Sequence, residues 1–325
     1  MIVDVHMHVA PPEFLAALVE AGGDVVPDPE GTGILVSCGE LKLHLSPEFL
    51  APEALVKKLD ALGIDLAVVS IATLLVDYRM GFDNARKIAT AANLGMARFA
   101  SFAPERIRWL AHVPMQDQAN ALRILEDAIE SGALGAQIGT HVNGANLDET
   151  QFEAFFAKAA ELDAFLLVHA VDCMAAHRLE RHYASNLIGN PYESGLAVAS
   201  VIFGRVHEQR TPLQMCFCHG GGAAPALAGR WDRAWSINRM GGTKLPRPPS
   251  SYFRSLWFDS LCYGEEQLRL LIAIAGADRV LMGSDQPFPI AHPDPVSSIS
   301  NLSWLTPAQR RGISGENAKK ALLRL

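Results

Sequence analysis

Near its amino end the chain carries Asp4-Val5-His6-Met7-His8. Side chains alternate along an extended strand, so His6 and His8 leave the same face, about 7 Å apart. Two neutral imidazoles converging in this way can chelate a divalent cation, with zinc–nitrogen distances of roughly 2.0–2.1 Å. Two buried histidines bonded to backbone would explain the pair equally well. Three further residues shift the balance. His169 closes the apolar run Phe165-Leu166-Leu167-Val168, His219 closes Met215-Cys216-Phe217-Cys218, and Asp285 follows Leu281-Met282-Gly283-Ser284. A lone polar side chain at the end of an apolar strand carries a desolvation cost that a metal or hydrogen bonds must offset. Taken together these residues point to a metal site rather than to packing.

Such residues need strands whose ends meet. Eight short apolar runs supply them: Ile2–Val9, Leu66–Thr73, Trp109–Met115, Leu134–Gly139, Phe165–Ala170, Leu213–His219, Trp257–Leu261 and Val280–Gly283. They are mostly continuous rather than alternating, the pattern of parallel strands covered by helices. Segments of helical period lie between them: Pro52–Leu62, Asn84–Ser101, Gln118–Ile129, Glu149–Leu162, Tyr192–Val206, Gly222–Trp235, Glu265–Ala275 and Thr306–Leu323. Thr306-Pro307 has the form of a helix start, an N-cap Thr followed by Pro at the first helical position. Eight alternations predict an α/β fold, a (β/α)8 TIM-type barrel, with residues 1–325 as a single domain.

Two segments interrupt the alternation. Residues 11–52 form a small insert after the first strand, with a Gly/Pro-rich stretch and then ILVSCGELKLHL, which could make a hairpin. Residues 238–250 (NRMGGTKLPRPPS) are Pro-rich and basic. Either could fold over the carboxy-terminal mouth of the barrel, where active sites form, as a lid or a subunit contact.

The chain resembles the amidohydrolase superfamily. The likeness is closer to its branch of α-amino-β-carboxymuconate-ε-semialdehyde decarboxylase and related non-oxidative decarboxylases. The resemblance runs over nearly the whole chain, through DVHMHV, LDALGIDLAVVS, LAHVPMQD, LGAQIGTH, LLVHAVD, CHGGGAAPALAGR, PRPPSSY and VLMGSDQPFP. It implies that His6, His8, His169 and Asp285 bind one divalent metal with water in the remaining position. His219 would stand beside that water as general acid/base, with Asp285 counted among the catalytic residues. Two-metal members carry a carboxylated Lys on strand four; residues 134–141 have no Lys, so a single ion is implied. Zinc is the first choice for a His-rich set with one carboxylate, with manganese the alternative. A divalent cation lowers the pKa of bound water towards neutrality, and an imidazole exchanges a proton near pH 7. The implied activity is metal-dependent decarboxylation, without redox chemistry, of a small unsaturated or aromatic carboxylic acid, carboxymuconate-semialdehyde-like or hydroxybenzoate-like. A hydrolase or hydratase on the same scaffold is the alternative.

The resemblance also proposes substrate contacts. Arg230 matches an Arg that reaches a neighbouring subunit's site and grips a substrate carboxylate, a task suited to a planar bidentate donor. A homodimer is expected on that ground. Phe288 matches a site-lining aromatic, and Tyr183 stands where the family has a Trp. The insert has no Arg for the family's second carboxylate contact, and Lys42 and His44 are the nearest cations. A Lys there forfeits bidentate recognition. His141 either touches substrate or caps the following helix, and Asp172 is structural or supports a ligand. Asp4 is expected below the two histidines on their face; it or Asp259 could orient a ligand or the catalytic water. Cys216 and Cys218 are expected on the face opposite His219, towards the outer helices, as small core residues. His112, His177, His182, His207 and His292 read as surface or packing residues.

Composition agrees with an enzyme core. Hydrophobic residues make up 49% of the chain and charged residues 19%, which excludes a disordered chain, a fibre or a disulfide scaffold. The formal net charge of −7 argues against a nucleic-acid partner, because phosphate neutralisation needs a basic surface. Five cysteines suit no secreted disulfide framework. With neither a signal peptide nor a membrane span in view, a cytoplasmic location is expected.

Overall fold

The computed structural model describes the chain except residues 30, 39–40, 76, 174–175, 210–212 and 243, and the side chains at 41, 74 and 209. Each apolar run forms a strand. We label them β1 (Val3–Val9), β2 (Leu66–Ile71), β3 (Ile107–Trp109 and Ala111–His112), β4 (Gly135–Gly139), β5 (Phe165–His169), β6 (Gln214–Phe217), β7 (Trp257–Asp259) and β8 (Val280–Leu281). Consecutive strands pair in parallel from β1 to β8. Leu110 joins the two pieces of β3, its N–H donating to Val69 O at 2.8 Å. The last strand closes on the first: Val5 N donates to Met282 O at 3.0 Å, and Asp285 N to His6 O at 2.8 Å. The result is the closed (β/α)8 cylinder expected from the alternation.

Two apolar layers hold it. Val3, Val5, Val68, Leu110, Phe165, Leu167, Trp257 and Leu281 fill the lumen, which Ala318, Ala321 and Leu322 close from below. Val69, Trp109, Leu166, Val168, Met215, Phe217 and Phe258 face the helices.

Two expectations about side-chain direction need correction. Cys216 and Cys218 belong to the lumen, not to the helix side. Alternation counted back from His219 points them outwards, but His219 lies beyond β6 with φ +58°, where strand parity no longer holds. Asp4 does not share a face with His6 and His8. The β1–β2 register shifts between Asp4 and Met7, and such a bulge reverses the alternation. Asp4 instead accepts hydrogen bonds from Ser284 N at 3.2 Å and His6 N at 3.0 Å.

A third correction concerns Thr306–Leu323, which is not one helix. Thr306 does form a capping box with Gln309, but the helix Pro307–Arg311 breaks around Gly315 before Ala318–Ala321. A side chain at 315 would collide with the Met1 carbonyl, so the break lets the chain pass under β1. Asn317 then anchors it to the end of the barrel, donating to Ala277 O and Val280 O at 2.9 Å each.

The insert holds the expected hairpin, Ile34–Cys38 with Leu41–Leu45, and a third antiparallel strand, Asp24–Pro27. The hairpin bend at 39–40 lies outside the described residues. The described residues of 238–250 fold back on the preceding helix, Ala224–Ser236: Trp235 Nε1 donates to Leu245 O at 2.9 Å and Ser250 Oγ to Asp232 at 2.6 Å. Among the described residues no helix is long and apolar enough to cross a membrane.

Candidate active site

At the carboxy-terminal mouth, His6 and His8 from β1, His169 from β5 and Asp285 from the turn after β8 converge. Asp285 Oδ1 lies 3.3, 2.9 and 3.8 Å from the Nε2 atoms of His6, His8 and His169. The four ligand atoms all lie within 4.8 Å of one another, and all four residues are buried. None of these four atoms has a hydrogen-bond partner. Buried polar atoms are nearly always satisfied, so four orphans aimed at one point fit a divalent cation.

The opposite ring nitrogens are engaged instead. His6 Nδ1 meets Asp259 Oδ2 at 2.7 Å, and His169 Nδ1 meets Ala170 O at 2.7 Å. His8 Nδ1 lies 3.3 Å from both Ile71 O and Ser70 Oγ. Acceptors at Nδ1 place the proton there and leave the Nε2 lone pair for a ligand role. Asp259 is itself fixed, its Oδ1 accepting from Gly220 N at 2.7 Å and Leu261 N at 3.2 Å. Ser70 donates to Gln137 Oε1 at 2.6 Å, so the inward residue of β4 is an amide that supports His8. Gly283 allows the approach of β8: an added Cβ would lie 2.9 Å from the Cβ atoms of both His6 and Asp259.

The charges agree with a cation site. Burial alone would raise the Asp285 carboxyl, but His6, His169 and His8 hold it well below the usual range. Burial pushes His8 down to about 4. The same desolvation, with His169 adding to it, takes His219 down to about 3, so both rings are neutral at pH 7. Burial would depress His6 too, yet Cys218, Asp285 and Asp259 outweigh it and hold its pKa well above normal.

His219 stands beside the quartet. Its ring centroid is 4.9 Å from that of His169 and 5.6 Å from that of His6. Ser194 Oγ, on the helix Asn190–Phe203, lies 3.3 Å from its Nδ1. A cavity of about 480 Å³ opens from His219 and Asp285 outwards, walled by Leu187, Pro191, Leu261, Leu271 and Ile290.

Phe288 packs its ring 5.0 Å from that of His8 and 5.0 Å from that of Phe49, which brings the end of the insert to the mouth. Tyr183 is exposed; partial desolvation and the Asp285 charge raise its phenol. His141 has both nitrogens occupied, Nε2 meeting Asp172 O at 2.8 Å and Nδ1 accepting from Gly144 N at 3.1 Å. The Asp172 carboxylate lies 3.5 Å from Arg79. Lys42 is exposed on the insert, and His44 pairs with Asp28 at 2.8 Å; neither is among the cavity's lining residues. Arg230 is exposed on Ala224–Ser236, with no ion pair or hydrogen bond to a described residue. Sequence reasoning missed Ser194, Ser70 and Gln137, and nothing local marks them, because their partners come from other strands. It also missed Cys218, whose sulfur joins His6 and Asp259 below the quartet.

Comparison with known proteins agrees with this geometry. The amidohydrolase family profile matches residues 3–324. A 2-amino-3-carboxymuconate-6-semialdehyde decarboxylase from Dictyostelium discoideum is 30% identical over 273 residues, covering 83% of this chain and 76% of its own. The apo structure of IDCase from Metarhizium anisopliae aligns with a TM-score of 0.86 at 21% identity, over 100% of this chain and 97% of the other. A dihydroxybenzoic acid decarboxylase from Polaromonas sp., solved with manganese and 2-nitroresorcinol, aligns with a TM-score of 0.80 at 22% identity, over 99% and 96% of the two chains. With a matching profile along almost its entire length and a barrel whose strand ends carry this His/Asp quartet, the chain belongs to the amidohydrolase family.

Proposed function

We propose that the protein is a metal-dependent, non-oxidative decarboxylase of a small unsaturated or aromatic carboxylic acid. The observation that carries this reading is the quartet of orphaned buried ligand atoms beside a neutral imidazole, at the inner end of an apolar cavity of about 480 Å³. That volume lies in the range of small-molecule sites. A divalent cation held by His6, His8, His169 and Asp285 would supply Lewis acidity to a substrate oxygen. Three imidazoles and one carboxylate suit zinc, our assignment, with manganese as the competing ion.

His219 lies outside the quartet. Ser194 holds its Nδ1 and leaves Nε2 for proton transfer. In our reading the neutral ring first takes a proton at Nε2 from a water or an acidic hydroxyl of the substrate, then delivers it to the carbon that bears the leaving carboxylate. That carbon becomes tetrahedral, its bond to the carboxylate breaks, the electron pair returns to the carbon skeleton, and carbon dioxide departs. Delivery returns His219 to its neutral form, and the group that lent the proton regains one from solvent. Asp285 supplies the one anionic ligand. Phe288, against His8, and Tyr183, at the rim, are assigned to the body of the substrate. Arg230, without an ion pair or hydrogen bond to a described residue, is assigned to a substrate carboxylate in a neighbouring copy, which makes a homodimer the working unit. Lys42 can contribute only from outside the cavity, and His141 acts through the loops that it ties. All five cysteines are unpaired, which supports cytoplasmic residence.

The test is carbon dioxide release by metal-loaded protein across carboxymuconate semialdehydes and hydroxybenzoates. Turnover that His219→Ala lowers by about 10²–10⁴-fold supports the reading. A product that has gained water and kept its carboxylate would identify a hydratase or hydrolase instead.

A further inference from the structure

The cavity has two chemistries. Its inner end holds His219 and Asp285, and much of its wall is aliphatic. The other polar side chains lining it include Asn186, Asn190 and Gln267, and among the described lining residues there is no Lys or Arg. Asn186 lies in the turn Ser185–Gly189 and Asn190 opens the helix Asn190–Phe203. Four residues apart, they stand one turn from each other on one side of the segment. Both are partly buried, and neither carboxamide makes a hydrogen bond to a described residue. Each offers two donors and an acceptor without charge.

We infer that Asn186 and Asn190 form a neutral subsite, which selects substrates carrying one carboxylate and an uncharged hydrogen-bonding substituent such as a hydroxyl or an amide. A hydroxyl both donates and accepts, so it satisfies either face of a carboxamide. A second carboxylate can use only the N–H groups and gives up its hydration with no Lys or Arg among the described lining residues to replace it. Arg79 lines a separate pocket of about 240 Å³ and is paired with Asp77 at 2.9 Å and Asp172 at 3.5 Å. The inference rests on the decarboxylase reading only for which carboxylate is lost, not for the binding preference.

Calorimetric titration of the zinc-loaded full chain with benzoate, 2,4-dihydroxybenzoate and isophthalate tests it. The dihydroxy acid is expected to bind most tightly, and isophthalate at least about tenfold more weakly than it. The double variant Asn186→Ala/Asn190→Ala should weaken 2,4-dihydroxybenzoate about tenfold and leave benzoate within about twofold, with an unchanged circular dichroism spectrum. Equal affinities for isophthalate and the dihydroxy acid overturn the inference. So does an equal loss for benzoate in the variant, or no binding of the dihydroxy acid. Because the titration reads binding and not turnover, a retained preference without carbon dioxide release counts against the decarboxylase reading alone.

Discussion

Replacing Asp259 with Asn tests how the barrel prepares His6. The two side chains are fully buried and meet at 2.7 Å, while the second carboxylate oxygen already accepts from Gly220 N and Leu261 N. An Asn offers one acceptor and one donor group in place of two acceptors. If its oxygen stays with Gly220 and Leu261, its N–H faces His6 Nδ1, which must then give up its proton. That proton moves to Nε2, the atom aimed at the quartet, and blocks it. If the amide flips, two donors confront each other at Gly220, and a buried unsatisfied donor costs about 1–3 kcal/mol. Either way the site is impaired. We expect metal affinity to fall about 10–100-fold, equivalent to about 1.4–2.8 kcal/mol. Zinc competition against a chromophoric chelator measures it, with circular dichroism to establish the fold. A folded Asp259→Asn protein that binds zinc as tightly as the parent would refute the claim that Asp259 sets the His6 tautomer.

Three further changes have defined outcomes. Gly283→Ala drives a methyl to 2.9 Å from the Cβ atoms of His6 and Asp259; overpacking of this kind costs about 1–3 kcal/mol. Calorimetry should show a lower Tm and elemental analysis a lower metal content, and unchanged values would contradict the packing described. His112, buried in β3, is pushed by desolvation from 6.5 to about 4. The folded protein then refuses a proton that the unfolded chain accepts, so this stability is present above pH 6.5 and lost as pH falls towards 4. At 1.36 kcal/mol per unit the loss approaches roughly 3 kcal/mol. Denaturant melts at neutral and acid pH should show a smaller acid loss for His112→Gln than for the parent; identical losses would remove His112 as the cause. Ser194→Ala frees His219 Nδ1 and should lower kcat about two- to tenfold without changing metal content, with Ser194→Thr restoring part of it. Metal loss, or an unaltered kcat, would deny Ser194 that positioning role.

Hydrophobic pattern alone carried the architecture. Continuous apolar runs alternating with helical segments are what a closed parallel barrel needs to bury both faces of its strands, and all eight runs became strands. His6, His8, His169 and Asp285 were visible for a related reason: an imidazole or carboxylate has no packing use at an apolar strand's end. What failed was alternation carried past the place where the strand is regular. The bulge between Asp4 and Met7 turned Asp4 away from the histidines, and the left-handed backbone at His219 separated it from the parity of Cys216 and Cys218. Strand parity read from residue types registers neither departure, because it assumes that regular extended backbone continues through both places. The supports were hidden as well. Asp259 meets His6, Ser194 meets His219 and Gln137 supports Ser70 only after distant segments are brought together. Local sequence therefore determined which residues could bind a cation. The tertiary structure decided which of their atoms face it, and it left Lys42 and Arg230 outside the cavity, since packing of all eight strands, and not any one of them, sets those directions.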